Sequence, residues 1–254
     1  MALSMTACAI STPSPMGGFH HDFTPRMVRQ GDMNTQIESG ADRKPFDQER
    51  GGLRFGQSRG LAGGKQFDFI AEFGSLEITG IDSTDKSVTP VSEDGYYLGA
   101  QLKFDALKDQ KPGPALVAYF FGLGTGGYGD FVSFVDGYGG ATLGAGFRYL
   151  CPFVNFAGGL SLPYDRKYFR YLKSNFLAVH YDVGKFHYAT SLWLGSEMGI
   201  ETPFGNPRRG LRLYYSMGAK AFRLLEKDDV APHEVPIVMF GVDLTYKLGL
   251  SWTY

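Results

Sequence analysis

The chain has 254 residues, with 35 Gly, 15% aromatic and 20% charged residues, and a formal net charge of −1. That balance excludes the basic excess expected of a nucleic-acid binder, and 43% hydrophobic residues exclude disorder as a description of the whole chain. No run approaches the ~18 consecutive apolar residues of a membrane-spanning helix, so the glycine and aromatic excess points to many strands, facing either water or lipid.

Residues 9–48 are rich in Ser, Pro, Gly, Asp and Arg without sustained periodicity, and the whole of 1–48 reads as a tail or linker. Near its start, Thr6 and Ala7 immediately before Cys8 resemble the end of a bacterial lipoprotein signal. That resemblance implies lipid modification of Cys8. Met5 stands where Leu is usual, and no Lys or Arg precedes it, so an ordinary N-terminus with a spare thiol is the other reading. Cys8 and Cys151 are the two cysteines and write no disulfide framework. His20 and His21 lack Cys or carboxylate partners at ligand spacing, and no metal or other cofactor is expected.

From residue 49 to 254 the period is two. Strands are expected at 50–57, at 66–80 with a bulge at Gly74-Ser75, and at 96–105, 115–123, 141–149 and 153–162. Further strands follow at 177–183, 186–197, 211–220 and 238–254. In the last of these, Val238, Phe240, Val242 and Leu244 begin an apolar face opposite Met239, Gly241, Asp243 and Thr245. Cys151-Pro152 and Val183-Gly184 read as two-residue turns, because each pairs apolar with apolar residues across the hairpin. The glycine-rich 122–129 stretch superficially resembles a phosphate-binding loop. It lacks the following Lys-Ser/Thr and a receiving helix, and reads as a mobile loop.

This is an all-β chain forming an antiparallel up-and-down barrel of about ten strands, with eight to twelve as the range. Its polar faces carry Gly, Ser, Thr and scattered charges, which suits a crowded lumen better than a Lys/Glu-rich soluble surface. Aromatics collect near strand ends, as in the interfacial girdles of membrane barrels: Tyr149 and Phe153, then Tyr181, Phe186 and Tyr188, then Trp252 and Tyr254. Tyr246, Leu248, Leu250, Trp252 and Tyr254 resemble the C-terminal signature of bacterial outer-membrane β-barrel proteins. That resemblance implies a transmembrane barrel in the bacterial outer membrane, surrounded by its lipid, with the last strand read by the barrel-assembly machinery. A soluble lipocalin-like ligand-binding barrel is the structural alternative. The expected connections put short turns opposite the termini and long ones beside them, the inverse of an ordinary outer-membrane barrel. A miscount by one strand produces that inversion; so do large periplasmic loops, which would suit a periplasmic or envelope partner.

Lys103, Asp105, Arg148, His180, Asp182, His187, Glu197, Arg212, Lys220, Asp243 and Lys247 are expected to face the lumen. Their mixed signs suggest a salt-bridge network more than a selective pore. A barrel of this size is filled or narrow, so a structural, scaffold or narrow-pore role in the cell envelope is expected, without enzymatic activity. The enzymatic alternative, a hydrolase or lipid-modifying protein, would use His180, His187 and Ser191. Against it, Ser191 lies four residues beyond His187, about 13 Å along an extended strand. The run Tyr164-Asp-Arg-Lys-Tyr-Phe-Arg-Tyr-Leu-Lys173 is a candidate surface for lipid phosphates or a solvated loop with girdle aromatics.

Overall fold

In the computed structural model, the residues described are 10–11, 26–44, 48–78, 82–83, 87–88, 91–107, 114–129, 132–166, 169–174, 180–186, 190–206, 209–225, 237–238 and 240–254. Ten antiparallel strands form one closed barrel. They are β1 (Met33–Lys44), β2 (Gln48–Leu61), β3 (Lys65–Ile78), β4 (Val91–Asp105) and β5 (Ala115–Tyr128), followed by β6 (Val132–Ala145), β7 (Cys151–Arg166), β8 (Ser191–Pro203), β9 (Gly210–Leu224) and β10 (Phe240–Thr253). Each strand pairs with its sequence neighbours, and β10 returns to β1 with Leu250 opposite Ile37. Strands of 12 to 16 residues exceed the ~9–11 that a tilted strand needs to cross a bilayer.

The expected number of strands is met by two compensating differences. β1 lies inside the segment read as a tail, so the barrel begins at Met33 and not near residue 49. Its outward residues are Thr35, Ile37, Ser39 and Ala41, too weakly apolar to show a period-two stripe, whereas Asn34, Gln36 and Glu38 are buried. Conversely, His180–Phe186 is continuous through Val183-Gly184 and pairs with Phe169–Ser174 in a separate two-stranded ribbon. Val183-Gly184 is therefore no turn, and one barrel strand, β8, replaces the two expected between 177 and 197. Cys151-Pro152 opens β7; the turn is 146–150, and Val154 faces Leu143 across the pair rather than Tyr149.

These shifts reverse the sidedness of the connections. The rim where β1 begins and β10 ends, called here the first rim, carries connections 62–64, 106–114, 146–150 and 204–209. The opposite rim carries 79–90, 167–190 and 225–239 with the short 45–47 and 129–131. All three of the longest connections now lie away from the barrel's ends, the ordinary arrangement for an outer-membrane barrel.

Side-chain facing follows the pleat. On β5, Leu123 is 68% exposed while Phe120 is 3% exposed. Outward positions carry Phe55, Phe69, Phe121, Leu194 and Met198, all exposed. Two expectations about facing fail. Phe153 is buried on the inner side, and Gly74-Ser75 hold continuous register with both neighbouring strands. The apparent bulge arises because apolar Leu76 points inward and is buried.

The glycine-rich stretch is no loop: residues 122–128 are the second half of β5, and only Gly129 lies in the turn beyond it. A Cβ at Gly124 would meet the Tyr97 ring, and one at Gly122 the Tyr138 ring. Trp193 covers Gly159 and Tyr214 covers Gly249 in the same way. Rings from one strand thus fill the space that a neighbouring strand's missing side chains leave. Much of the paired excess of Gly and aromatics seen in the composition is this packing.

Candidate functional site

The lumen holds the polar chemistry of the molecule. Arg54 on β2 lies between two carboxylates: it pairs with Glu38 on β1, and its Nη2 lies 3.0 Å from Glu72 Oε2 on β3. Tyr214 on β9 donates to Glu38 at 2.6 Å. Lys247 Nζ on β10 reaches across β9 to Glu197 on β8 at 2.9 Å. All these groups are buried, so each charge needs its partner to offset lost hydration. Asp68 accepts from Gln66 at 2.6 Å and from Gln101 at 3.0 Å, and Thr142 donates to Asn155 at 2.7 Å.

At the first rim a strap, residues 26–32, leads into β1 and is stitched to the wall. The Arg26 guanidinium lies 2.6 Å from Glu201 and donates to the Phe147 carbonyl at 2.9 Å. Glu201 also faces Arg212 at 3.5 Å. The Val28 amide donates to Gln66 Oε1 at 2.7 Å, and Val28 is buried. Gly60 permits the close approach: a Cβ there would collide with the Arg29 carbonyl. Gly31, with φ of 85°, turns the strap into β1. At its end Asp32 accepts from Arg209 at 2.6 Å, and that hydrogen bond holds the Asp32 carboxyl below its usual range. Beneath the strap remains a cavity of about 360 Å³, bounded by Arg26, Val28, Asp105, Val117 and Arg212 among others.

The structure places Lys103, Glu197, Arg212, Lys220 and Lys247 as buried residues on barrel strands. Asp105 ends β4 and lines the cavity under the strap, accepting from the Leu107 amide at 2.8 Å. Arg148 differs from expectation: β6 ends at Ala145, so Arg148 sits exposed in the 146–150 turn, its guanidinium 5.0 Å from the centre of the Tyr149 ring. Asp243 is opposite Lys220 in register, and its side chain lies outside the described residues. The same holds for the side chains of His180 and Asp182, for His187 and for Cys8. The backbone of His180 belongs to the separate ribbon, not to a strand beside Ser191. Ser191 itself is fully buried on β8 opposite Ser161, and its Oγ has no hydrogen-bond partner among the described residues. Of the basic-aromatic run, Tyr164 is exposed, and the side chains from 165 onward lie outside the described residues. Tyr246, Leu248, Leu250, Trp252 and Tyr254 form an exposed outward stripe on β10 and just past its end. Among the described residues, no group of His, Cys and carboxylate side chains could hold a metal ion.

Sequence reasoning missed Arg26, Glu38, Arg54, Glu72 and Glu201. The signal was parity: Glu201 continues the inward series Glu197, Gly199, and Glu72 continues Gln66, Asp68. Arg26 carried no signal, since it lies outside any strand.

No protein-family model and no curated protein sequence matches the chain. Among solved structures, the β domain of the Bordetella autotransporter BrkA aligns with 89% of this chain and 100% of its own, at TM-score 0.50 and 10% identity. The COG4313 outer membrane channel from Pseudomonas putida F1 covers 92% of this chain and 98% of its own, at TM-score 0.43 and 10% identity. The outer membrane protease OmpT from Escherichia coli covers 90% and 99%, at TM-score 0.40 and 10% identity. At such identities the likeness to the autotransporter domain concerns the fold alone. That fold is the closed antiparallel barrel of outer-membrane proteins.

Proposed function

We propose that this protein is an integral β-barrel of the bacterial outer membrane with a structural, scaffolding role and a lumen closed to bulk solutes. The observation that carries the reading is the inversion of the strands: large apolar side chains are exposed, while Arg54, Glu38, Glu72, Lys247 and Glu197 are buried and paired. Water would favour the opposite arrangement; a hydrocarbon surround favours this one. The position of the three longest connections on the opposite rim supports a periplasmic first rim, with the strap across it. On this reading the outward stripe from Tyr246 to Tyr254 is what the assembly machinery reads, and lipid attached at Cys8 would add an anchor. We read the role as non-enzymatic; the burial of the Ser191 hydroxyl in the wall and the place of His180 in another sheet support this against the hydrolase reading.

Outer-membrane fractionation, heat-modifiable gel migration and planar-bilayer recording test this together. The expected result is a detergent-extracted, heat-modifiable protein without a large stable conductance. Arg26→Ala, which frees the strap from Glu201, is expected to raise the frequency of small openings. Recovery as a soluble monomer would defeat the membrane reading, and a large steady conductance in the unaltered protein would defeat the closed lumen.

A further inference from the structure

The outer wall is not uniformly bulky. Near the first rim, the ends of β6–β9 line an open apolar depression of about 580 Å³, within the ~300–1,000 Å³ range of small-ligand sites. Its shape follows from register. Across four strands Leu143, Val154, Met198 and Met217 form one row, and Pro152, Ile200 and Tyr215 form the next. Val154 and Pro152 are short beside their neighbours, so β7 forms the floor and the longer side chains form the walls. Of the lining side chains, Tyr215 alone has a polar atom. The two methionines are flexible and polarizable, suited to a mobile hydrocarbon.

The 146–150 turn joins β6 to β7, two of the strands that make this depression. It carries Arg148, exposed and held against the Tyr149 ring at 5.0 Å. The turn is itself braced, since Arg26 donates to the Phe147 carbonyl at 2.9 Å. A cation stacked on an aromatic ring, in the turn between the groove residues Ala145 and Pro152, matches an anionic headgroup followed by a hydrocarbon tail.

We infer that this groove is a glycerophospholipid site, with one acyl chain along Val154 and Pro152 and the lipid phosphate on the Arg148 guanidinium. The inference rests on the outer-membrane reading and adds to it a defined lipid partner in the leaflet next to the first rim. Charge complementarity at Arg148 favours a phospholipid over a second copy of the chain, which would bring another Arg148 to the same place.

The test is native mass spectrometry of the full chain in detergent, titrated with dioleoyl phosphatidylglycerol or with dioleoylglycerol, which lacks the phosphate. The expected result is one saturable phosphatidylglycerol per chain, bound about tenfold more tightly than dioleoylglycerol, as one charge-assisted hydrogen bond implies. Arg148→Gln should reduce phosphatidylglycerol to the dioleoylglycerol level. Val154→Trp, which fills the floor, should weaken both lipids, and Arg59→Gln, at an exposed cation elsewhere, should change neither. Binding that does not saturate, or that both groove variants leave intact, overturns the site. A chain dimer abolished by Val154→Trp, with no saturable lipid, assigns the groove to a second copy and also overturns it. Heat-modifiable migration, run on every variant, separates the two hypotheses: folded, membrane-inserted protein without saturable lipid sinks only this inference.

Discussion

The lumen has two unlike walls. From β8 through β10 to β3 the wall is ionic, with Glu197, Lys247, Arg54, Glu38 and Glu72 in paired contact. From β4 to β7 it is largely aromatic and glycine-built, with Tyr97 stacked on Phe134 at 6.1 Å and the Tyr97 and Tyr138 rings over Gly124 and Gly122. Both walls fill the same kind of space, but by different physics. The ionic wall depends on stoichiometry, because one missing partner strands a buried charge. The aromatic wall depends on volume, because a ring and a glycine must match to within a methyl group.

The largest expected effect therefore comes from Arg54→Ala, which leaves Glu38 and Glu72 without their shared cation. A loss of about 3–5 kcal/mol is expected, read as a lower denaturant midpoint for the heat-modifiable form. Replacing Arg54 together with both carboxylates by apolar residues should recover much of it. A loss below about 1 kcal/mol for Arg54→Ala would mean that water enters this wall freely and the ionic description is wrong.

A middle effect is expected from Gly124→Ala, which drives a methyl group into the Tyr97 ring. Overpacking should cost about 1–3 kcal/mol. Tyr97→Ala combined with Gly124→Ala should lose less than the two single losses added together. Strict additivity in that cycle would break the claim that ring and glycine are one packing unit.

The smallest effect marks where the lumen's rules end. Asp32 and Arg209 also form an ion pair, at 2.6 Å, but Arg209 is 65% exposed at the first rim, where solvent screens the pair. Because the folded carboxyl is held below its ordinary value of 3.8, the contribution is full above that value and is lost as pH falls through the lower folded value. Asp32→Asn should shift the denaturant midpoint slightly at neutral pH, less at high salt, and not at all at strongly acidic pH. A shift that persists in high salt would show that the strap shields this pair as the wall shields Glu197 and Lys247.

The same contrast explains what was legible beforehand. The alternation from Leu244 to Tyr254 reads directly as an outward stripe, because every second side chain is large and apolar. β1 was invisible because its outward residues, Thr35, Ser39 and Ala41, carry almost no hydropathy signal, though the inward Asn34, Gln36 and Glu38 were there to be read. The glycines of β5 looked like a loop because their partners, Tyr97 and Tyr138, belong to neighbouring strands. Arg148 has the parity of a lumen residue but lies beyond Ala145, where the strand stops and parity no longer sets facing.

The amino-acid sequence by itself determined the strand-based architecture and the division into an apolar and a polar face, both consequences of period-two patterning within a strand. Tertiary structure alone decided which residues close the barrel, which rim carries the long connections, which charges pair across two strands, and that residues 26–32 cross one mouth. Those are register and closure properties. They arise from hydrogen-bonded pairing between strands far apart in the chain, and no local pattern encodes them. The excess of glycine and aromatics belonged to both levels: visible as composition, it acquired a physical meaning once the rings were seated over the glycines.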